Sequence, residues 1–263
     1  MCRIEPGTGA ALDRRATDDR LGIEKGAAQE KLAALTARLS VLHQRLYAES
    51  TRSVLLVLQG LDASGKDGTI RRVFTGLNPQ GCDVVAFKAP STTELKHDYL
   101  WRIHTLMPER GDIRIFNRSH YEDVVAAEVV GVIGDKERKR RYEHINAFEK
   151  MLCEEGTSIV KIFLHVGRDE QGRRLQARLD DPEKRWKFDR ADLDARANWD
   201  RYMTLYDAAI TATSTKWAPW HVVPADHKWV SGVTAAAVLL DTLEAMDPKI
   251  PPPKEDLDGI TIE

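Results

Sequence analysis

One stretch decides how this chain folds: Val54-Leu55-Leu56-Val57-Leu58-Gln59-Gly60-Leu61-Asp62-Ala63-Ser64-Gly65-Lys66-Asp67-Gly68-Thr69. It opens with a run of valine and leucine, which is typical of a strand that is buried on both faces. A glycine-bounded loop follows and ends in Gly65-Lys66, and residues 69–74 suit a helix. Strand, Gly-x4-Gly-Lys and helix, in that order, are the context of a phosphate-binding loop. The alternative is an ordinary strand-to-helix turn that happens to hold a lysine.

A loop of this kind binds anions mainly through its backbone. Glycines let N–H groups turn toward a phosphate, the helix N-terminus adds partial positive charge, and Lys66 reaches terminal phosphates. Two positions are unusual: Asp67 stands where a Ser or Thr hydroxyl commonly ligates Mg²⁺, and Asp62 places a carboxylate inside the loop. Because these acids would repel a phosphate, we expect intervening metal ions, surrounding Arg and Lys side chains, or both.

The composition is that of an ordinary globular protein. The 263 residues are 42% hydrophobic and 30% charged, which argues against wholesale disorder. The net charge of −2 excludes a general basic coat for nucleic acid, so any polyanion site must be local. Cys2, Cys82 and Cys153 form neither a CxxC pair nor a zinc pattern, which predicts reduced thiols. No apolar run approaches 18 residues and no signal-peptide core is evident, so we expect a cytoplasmic protein without a membrane segment.

Five apolar segments predict the strands of a doubly wound sheet. They alternate with helical patterns and begin near Val54, Val84, Ile113, Ile159 and His221. Right-handed crossovers, together with a phosphate loop at a switch point, place the first strand between the third and the fourth. We therefore expect an α/β fold in which a five-stranded parallel sheet has helices on both faces.

The helical patterns predict one domain between a short arm and a tail. We expect a loose arm at residues 1–24, a domain at 25–246 and a proline- and acid-rich tail at 247–263. The main helices are expected at 25–47, 69–74, 97–107, 136–152, 192–213 and 230–246. The first of these helices has an apolar stripe, formed by Leu32, Leu35, Leu39, Leu42 and Leu46. The stripe is expected to pack on the core or on a second subunit, so a homo-oligomer is also expected.

Basic residues are concentrated after the fourth predicted strand. Placed over a phosphate loop, residues 168–192 would form a lid that brings cations to a transferring phosphate. The alternative is an exposed helical hairpin held by salt bridges. The basic run at 136–141 is more typical of a solvated helix face. The cations of the lid segment are Arg168, Arg173, Arg174, Arg178, Lys184, Arg185, Lys187 and Arg190.

Four motifs, found in order over roughly residues 27–246, give the chain a specific resemblance. They are Gly60-x-Asp62-x-x-Gly65-Lys66-Asp67-Gly68, the run Phe116-Asn117-Arg118-Ser119-His120-Tyr121-Glu122-Asp123, the lid sequence Arg178-Leu179-Asp180-Asp181-Pro182-x-Lys184-x-Trp186-Lys187, and Ala218-Pro219-Trp220-His221-Val222-Val223-Pro224-Ala225-Asp226. With these motifs the chain resembles the polyphosphate kinase 2 family, which shares the Asp after the loop lysine.

This resemblance implies a phosphate-loop kinase fold of the thymidylate-kinase type with a helical lid. It also implies reversible phosphoryl transfer between inorganic polyphosphate and nucleotides, with AMP and ADP or GMP and GDP as acceptors. The cofactor would be Mg²⁺, which Mn²⁺ could replace. The run that begins Asn117-Arg118-Ser119 looks like the branch of the family that phosphorylates both nucleoside monophosphates and diphosphates.

The resemblance also implies roles for individual side chains. Asp62, Lys66, Arg118 and Arg178 would be catalytic, and Asp62 and Asp123 would hold metal. Many family members have Asp where this chain has Asn117, so Glu122 or Asp123 is expected to replace that ligand. The nucleotide would contact Asn117, Arg118, Tyr121 and Glu122. Phosphates would be held by Gly60, Ala63, Ser64, Gly65, Lys66, Asp67, Gly68, Lys184, Arg185 and Lys187.

Two other functions are compatible with a phosphate loop. An ATP-using nucleoside monophosphate kinase shares the fold and the lid. A non-catalytic nucleotide switch needs mobile switch loops but no arginine-rich lid, so the lid residues count against it. The number of cations favours polyphosphate over ATP, because an extended anion needs more positive charge than a single triphosphate.

Overall fold

The computed structural model describes residues 2–258 and 260–262 and contains one five-stranded sheet. Its strands are β1 Ser53–Gln59, β2 Cys82–Ala86, β3 Ile113–Asn117, β4 Thr157–His165 and β5 Trp220–Pro224. They are all parallel and lie in the order β2-β3-β1-β4-β5. The first strand therefore lies between the third and the fourth, as predicted, and the phosphate loop leaves from the middle of the sheet.

β1 is the most enclosed strand, because it has a neighbour on each side and is covered on both faces. All seven of its residues are buried. Leu56 is paired with Ile115 of β3 and with Val160 of β4. An unbroken apolar run, rather than an alternating one, is what burial on two faces requires. The prediction of a fully buried first strand is confirmed.

Nine α-helices are found in the residues that the structure describes. Helices α1, α2 and α9 pack together on one face, and α5 and α8 pack together on the other, as right-handed crossovers require. The helices are α1 Lys25–Glu49, α2 Lys66–Phe74, α3 Trp101–His104, α4 Ala126–Val129, α5 Asp135–Glu154, α6 Arg168–Asp180, α7 Ala191–Ala197, α8 Trp199–Thr213 and α9 Lys228–Met246.

Helix α9 is the most apolar of these helices. By length and composition alone it could cross a membrane, and it is the one helix in the described part of the chain that could. Half of that stretch is buried inside the fold, where α9 packs against α1 and α2. The apolar composition of α9 is therefore explained by packing inside the domain.

The leucine stripe of α1 belongs to the same packing. Leu39 and Leu46 are fully buried, and the other three leucines are partly buried against the core. α1 and α9 are the two helices that contact each other most extensively. The stripe therefore packs on the chain's own core, and the expectation of a homo-oligomer, which was based on it, stays a prediction.

The arm expected to be loose at residues 1–24 is packed against β5 instead. The backbone N–H of Ile4 donates to the carbonyl of Trp220 at 2.8 Å, and that of Val222 donates to Cys2 at 2.7 Å. This pairing covers the exposed edge of the sheet. The apolar side chains that the arm buries are Ile4, Ala10 and Leu12. Their spacing follows neither a helical nor a strand period, so the sequence pattern did not predict that the arm packs.

Two predicted helices are wrong in extent. The helix expected at 97–107 is reduced to α3, because the Asp98 carboxylate accepts the N–H of Leu100 at 2.9 Å and forms a local turn there. The helix expected at 192–213 is divided into α7 and α8 at Asn198. The side-chain amide of Asn198 donates to the carbonyl of Asp194 at 2.9 Å. Short polar side chains that bond to nearby backbone explain both differences.

The packed arm predicts a measurable contribution to stability. Leu12→Ala should lower the free energy of unfolding by about 2–4 kcal/mol, since Leu12 is buried and its loss leaves a cavity. Urea unfolding followed by circular dichroism measures the change. Leu95→Ala is the matched control, because Leu95 is exposed and its loss should stay within about 0.5 kcal/mol. Equal effects of the two substitutions would contradict a packed arm.

Candidate active site

The loop between β1 and α2 has the backbone that anion binding requires. Gly60 has φ +147°, and a Cβ there would lie 2.7 Å from the Ser64 hydroxyl oxygen and 2.9 Å from the carbonyl of Leu164. Gly65 has φ +108° and begins α2 as its N-cap. Larger side chains are excluded at Gly60 by contact and are strained at both positions. The loop therefore curls tightly in front of the N-terminus of α2, where backbone N–H groups are available to a phosphate.

Lys66 is buried at the centre of this curl. Its Nζ donates to the carbonyls of Gly60 at 2.6 Å and of Leu61 at 3.2 Å. Burial lowers the pKa of Lys66, and the neighbouring Asp62 carboxylate opposes that shift. An ammonium has three donor hydrogens, so one remains after these two bonds. The side chain thus braces the loop and keeps one donor for a terminal phosphate.

Asp62 forms an ion pair with Arg118. Burial alone would raise the pKa of Asp62, but Lys66 and Arg118 outweigh it and hold the pKa below its ordinary value. Arg118 follows β3 directly and has φ +65°, a left-handed conformation that is uncommon for a side chain other than glycine. The side-chain amide of Gln171 in α6 donates to the backbone carbonyl of Asp62 at 3.1 Å. The predicted residues Asp62, Lys66 and Arg118 are therefore brought together.

Glu122 is the second acid of this cluster. Burial raises its pKa, while the positive charges of Arg118 and Lys66 oppose the rise. When the Gln59 amide is oriented by its hydrogen-bond network, its nitrogen donates to Glu122 Oε1 at 2.9 Å and its oxygen accepts from Ser119. Gln59 is the last residue of β1, so the strand itself orients the acid. No motif in the sequence indicated this role for Gln59.

Asp192, at the start of α7, is a third acid that the sequence did not assign to the site. It is 5% exposed, and its carboxylate lies 3.5 Å from the guanidinium of Arg178. Burial raises the pKa of Asp192, and the negative charge of Asp62 raises it further. Arg178 in turn helps to lower the pKa of Asp62. The lid segment therefore brings both an acid, Asp192, and a cation, Arg178, close enough to act on the charge of Asp62 in the phosphate loop.

Two of the residues assigned from the resemblance face away from the loop. Residues 120–123 form a 3-10 turn, in which successive side chains diverge by about 120° because there are three residues per turn. Tyr121 points into the core and donates to Glu149 at 2.8 Å. Asp123 is partly buried and pairs with the buried Arg102 at 3.1 Å. These partners count against a nucleotide contact for Tyr121 and a metal contact for Asp123, and they favour Glu122 as the acid at the loop.

The lid cations differ in how near they come to the loop. Lys187 Nζ lies 3.9 Å from the carboxylate of Asp67, which also accepts a hydrogen bond from Asn117 at 2.9 Å. Lys184 pairs with Asp181 within the lid. Arg185 donates to the carbonyl of Leu179 at 2.7 Å, and its side chain is otherwise exposed. Of the three lid residues expected to hold phosphate, Lys187 is the one placed against the loop.

Arg174 braces the loop from behind. Its guanidinium donates to the carbonyls of Ala63 at 3.0 Å and Ser64 at 2.9 Å, and to those of Ala225 and Asp226 after β5. Arg173, one residue earlier, pairs with Glu170 on the exposed side of α6. Neither arginine is directed at a ligand, so the number of cations that face the loop is smaller than the charge pattern of the sequence suggested.

The acids around Asp62 fit a metal ion that is shared with a substrate. Within residues 2–258 and 260–262, no three His, Cys, Asp or Glu side chains converge closely enough to bind a metal by themselves. Mg²⁺ usually binds one or two carboxylates and takes its other ligands from phosphates and water. Asp62, with Glu122 and Asp192 nearby, meets that requirement. The site can therefore bind Mg²⁺ together with phosphate, and its cations can neutralise the phosphate oxygens.

Comparison with known proteins identifies the family of the chain. The family model of polyphosphate kinase 2 matches residues 22–251. An AMP/ADP-polyphosphate phosphotransferase of Meiothermus ruber is 48% identical over 99% of this chain and 98% of its own, and an ADP-polyphosphate phosphotransferase of Rhodopseudomonas palustris is 45% identical over 84% and 81%. The crystal structure of polyphosphate kinase 2 from Arthrobacter aurescens TC1 superposes with a TM-score of 0.93 at 42% identity, over 97% of this chain and 92% of that one. The chain belongs to the polyphosphate kinase 2 family.

Proposed function

We propose that this protein transfers phosphoryl groups between inorganic polyphosphate and nucleoside mono- and diphosphates. The proposal is supported by the family to which the chain belongs and by the activity for which the Meiothermus ruber relative is named, since that relative aligns over nearly the full length of both chains. The observation that carries it is the ion pair of Asp62 and Arg118 beside the buried Lys66. This arrangement brings two cations and one carboxylate together at the phosphate loop.

Each part of the site has a task in such a transfer. The loop backbone and Lys66 would bind the phosphate that moves, and Arg118, which pairs with Asp62 beside the loop, would contact the neighbouring phosphate. Lys187 and Arg178 bring positive charge from the lid. The attacking atom is an oxygen of the acceptor's terminal phosphate. The second pKa of such a phosphate is about 6, so this oxygen is already ionised at neutral pH. The protein therefore needs to position and neutralise the reactants and needs no general base.

Mg²⁺ would be held by Asp62 and, through a further carboxylate, by Glu122 or Asp192. When bound, it neutralises charge on the donor and acceptor phosphates and keeps them in line. Asn117 keeps only a neutral carbonyl oxygen, which is a weaker ligand for this hard cation. It donates instead to Asp67 at 2.9 Å and so links β3 to the first turn of α2. Mn²⁺, which prefers similar oxygen ligands, is expected to substitute.

The acceptor range and the setting are also proposals. The relatives reported above are named for AMP or ADP, and we extend the acceptors to GMP and GDP. The use of both mono- and diphosphates is supported by the form of the run that begins at Asn117. A cytoplasmic location is supported by three cysteines that are free thiols: Cys2, Cys82 and Cys153. An ATP-dependent monophosphate kinase remains the second candidate, because Lys66 and the lid serve either donor.

The first prediction from this proposed function concerns Asp62. Asp62→Asn should lower kcat by about 100-fold or more, near 3 kcal/mol in barrier, because the amide is a poor metal ligand. Stability should change by about 1 kcal/mol or less, since the pair with Arg118 is partly exposed. The matched control is Asp83→Asn, which breaks a similar Asp–Arg pair at the edge strand β2 and should leave kcat unchanged. Activity of Asp62→Asn within about threefold of the parent, ~0.7 kcal/mol, would show that Asp62 holds no essential metal.

A second prediction separates the two neighbouring acids. Glu122→Gln should raise the Mg²⁺ concentration needed for half-maximal rate by about tenfold, because Glu122 lies beside Asp62 and Lys66. Asp123→Asn should leave that concentration unchanged and lower thermal stability instead, since it weakens the ion pair of the buried Arg102. Magnesium titrations of the initial rate, paired with thermal melts, measure both. The opposite pattern would return Asp123 to the metal site.

The third prediction identifies the phosphate donor. At equal Mg²⁺, polyphosphate with AMP should give ADP and ATP faster than ATP with AMP gives ADP, and the advantage should fall steeply as salt is added. Chromatography of the nucleotides measures each rate. Lys187→Ala should weaken polyphosphate binding more than Lys184→Ala does, because Lys187 alone of the two is placed near the loop. If polyphosphate is neither donor nor acceptor at any chain length, the ATP-dependent kinase becomes the better assignment.

A further inference from the structure

Four ionisable side chains are buried together behind the turn that carries Arg118 and Glu122. They are His120, Tyr121, Glu149 of α5 and Lys161 of β4, and none is more than 1% exposed. Glu149 is the centre of the cluster. We call these four residues the buried network.

The hydrogen bonds of the buried network are complete around Lys161. Its Nζ donates to Glu149 Oε2 at 2.5 Å, to the hydroxyl of Tyr121 at 3.0 Å and to the carbonyl of Thr213 at 2.7 Å. The Tyr121 hydroxyl donates to Glu149 Oε1 at 2.8 Å, and a ring nitrogen of His120 lies 3.4 Å from the same oxygen. All three ammonium hydrogens are therefore used.

Stability alone does not explain such a cluster. Removing charges from water is unfavourable, and apolar side chains of similar size often replace a buried ion pair without loss of stability. What hydrogen bonds add is direction, because an apolar core tolerates sliding and rotation that a bonded network does not. The function of the buried network is therefore sought in the part of the chain that its hydrogen bonds hold in place.

It holds the turn between β3 and α4 across the middle of the sheet. β3 and β4 are not neighbours, since β1 lies between them. Tyr121 reaches beneath the sheet to Lys161 of β4, and its ring packs edge-on against Trp220 of β5, with centroids 4.8 Å apart. On the opposite side of the same turn, Ser119 and Glu122 are bonded by Gln59 of β1. The turn is thus fixed from two directions.

We propose that Glu149, Lys161 and Tyr121 are positioning residues, which hold the 118–123 turn so that Arg118 and Glu122 face Asp62. The inference rests on the phosphoryl-transfer function proposed above. Arg118 has a left-handed backbone at φ +65°, a conformation that persists when its surroundings enforce it. The buried network supplies that enforcement through the residues that follow Arg118.

Two double variants test the role of the hydrogen bonds. Glu149→Leu with Lys161→Met removes both charges and the acceptor for Tyr121; it should fold with a Tm near that of the parent, and kcat should fall about 10- to 100-fold with little change in KM for AMP. Glu149→Gln with Lys161→Met removes the same charges but keeps an acceptor for Tyr121. It should recover most of kcat, which a role of charge alone would not allow.

Hydrogen exchange gives a measurement that does not depend on activity. Amides of residues 118–123 should exchange faster in the Leu/Met variant than in the parent, while those of α9 should not change. Leu243→Ala is the matched control for stability, because Leu243 is buried in α9 away from the turn. It should lower Tm without changing kcat or the exchange of 118–123.

The outcomes separate the two proposals. If the parent transfers no phosphate from polyphosphate, the proposed function fails, and hydrogen exchange still decides the positioning. If the parent is active and the Leu/Met variant keeps its kcat and its slow exchange, the positioning role is wrong. Should the Leu/Met variant not fold, Tyr121→Phe takes its place, because the ring packing is kept. A kcat for Tyr121→Phe within about twofold of the parent, with unchanged exchange, would overturn the inference.

Discussion

The charge balance around Asp62 is the constraint on which the rest of the site depends. A carboxylate inside an anion-binding loop repels phosphate unless cations hold it, and Lys66 and Arg118 do so here. The two cations belong to different elements: Lys66 begins α2, and Arg118 follows β3. They can meet only if β3 lies beside β1, with Asn117 in register with Leu58 near the end of that strand. The strand order of the sheet is therefore part of the chemistry.

The lid segment shows how positive charge is divided between structure and ligand. Arg174 uses both ends of its guanidinium on four backbone carbonyls, which joins the loop to the end of β5. These oxygens would otherwise repel an approaching polyanion. Because they are bonded to the positive charge of Arg174, the electrostatic potential at the loop is more favourable for an anion. Arg178 and Lys187 remain directed toward the acids Asp192 and Asp67. Similar side chains in one segment thus have different tasks, decided by what lies opposite each of them.

The short turn after β3 shows why a motif is a better guide to the site than to each of its members. Tyr121, Glu122 and Asp123 of this turn were all assigned to substrate or metal from one resemblance. In the fold, Glu122 faces Asp62, whereas Tyr121 and Asp123 pair with Glu149 and Arg102. These partners lie 28 and 21 residues away in the sequence. The direction of each side chain therefore depends on distant partners, which no local pattern reveals.

The sequence by itself determined the phosphate loop, the five parallel strands, their order and the family. These features follow from local rules: β1 is an unbroken apolar run, Gly60 and Gly65 permit a tight curl, and crossovers are right-handed. Only the tertiary structure decided that Asp192 joins the site, that the arm before α1 packs on β5, and that Arg174 braces the loop. The physical reason is that burial and charge pairing are properties of neighbours in space, and those neighbours come from segments far apart in the chain.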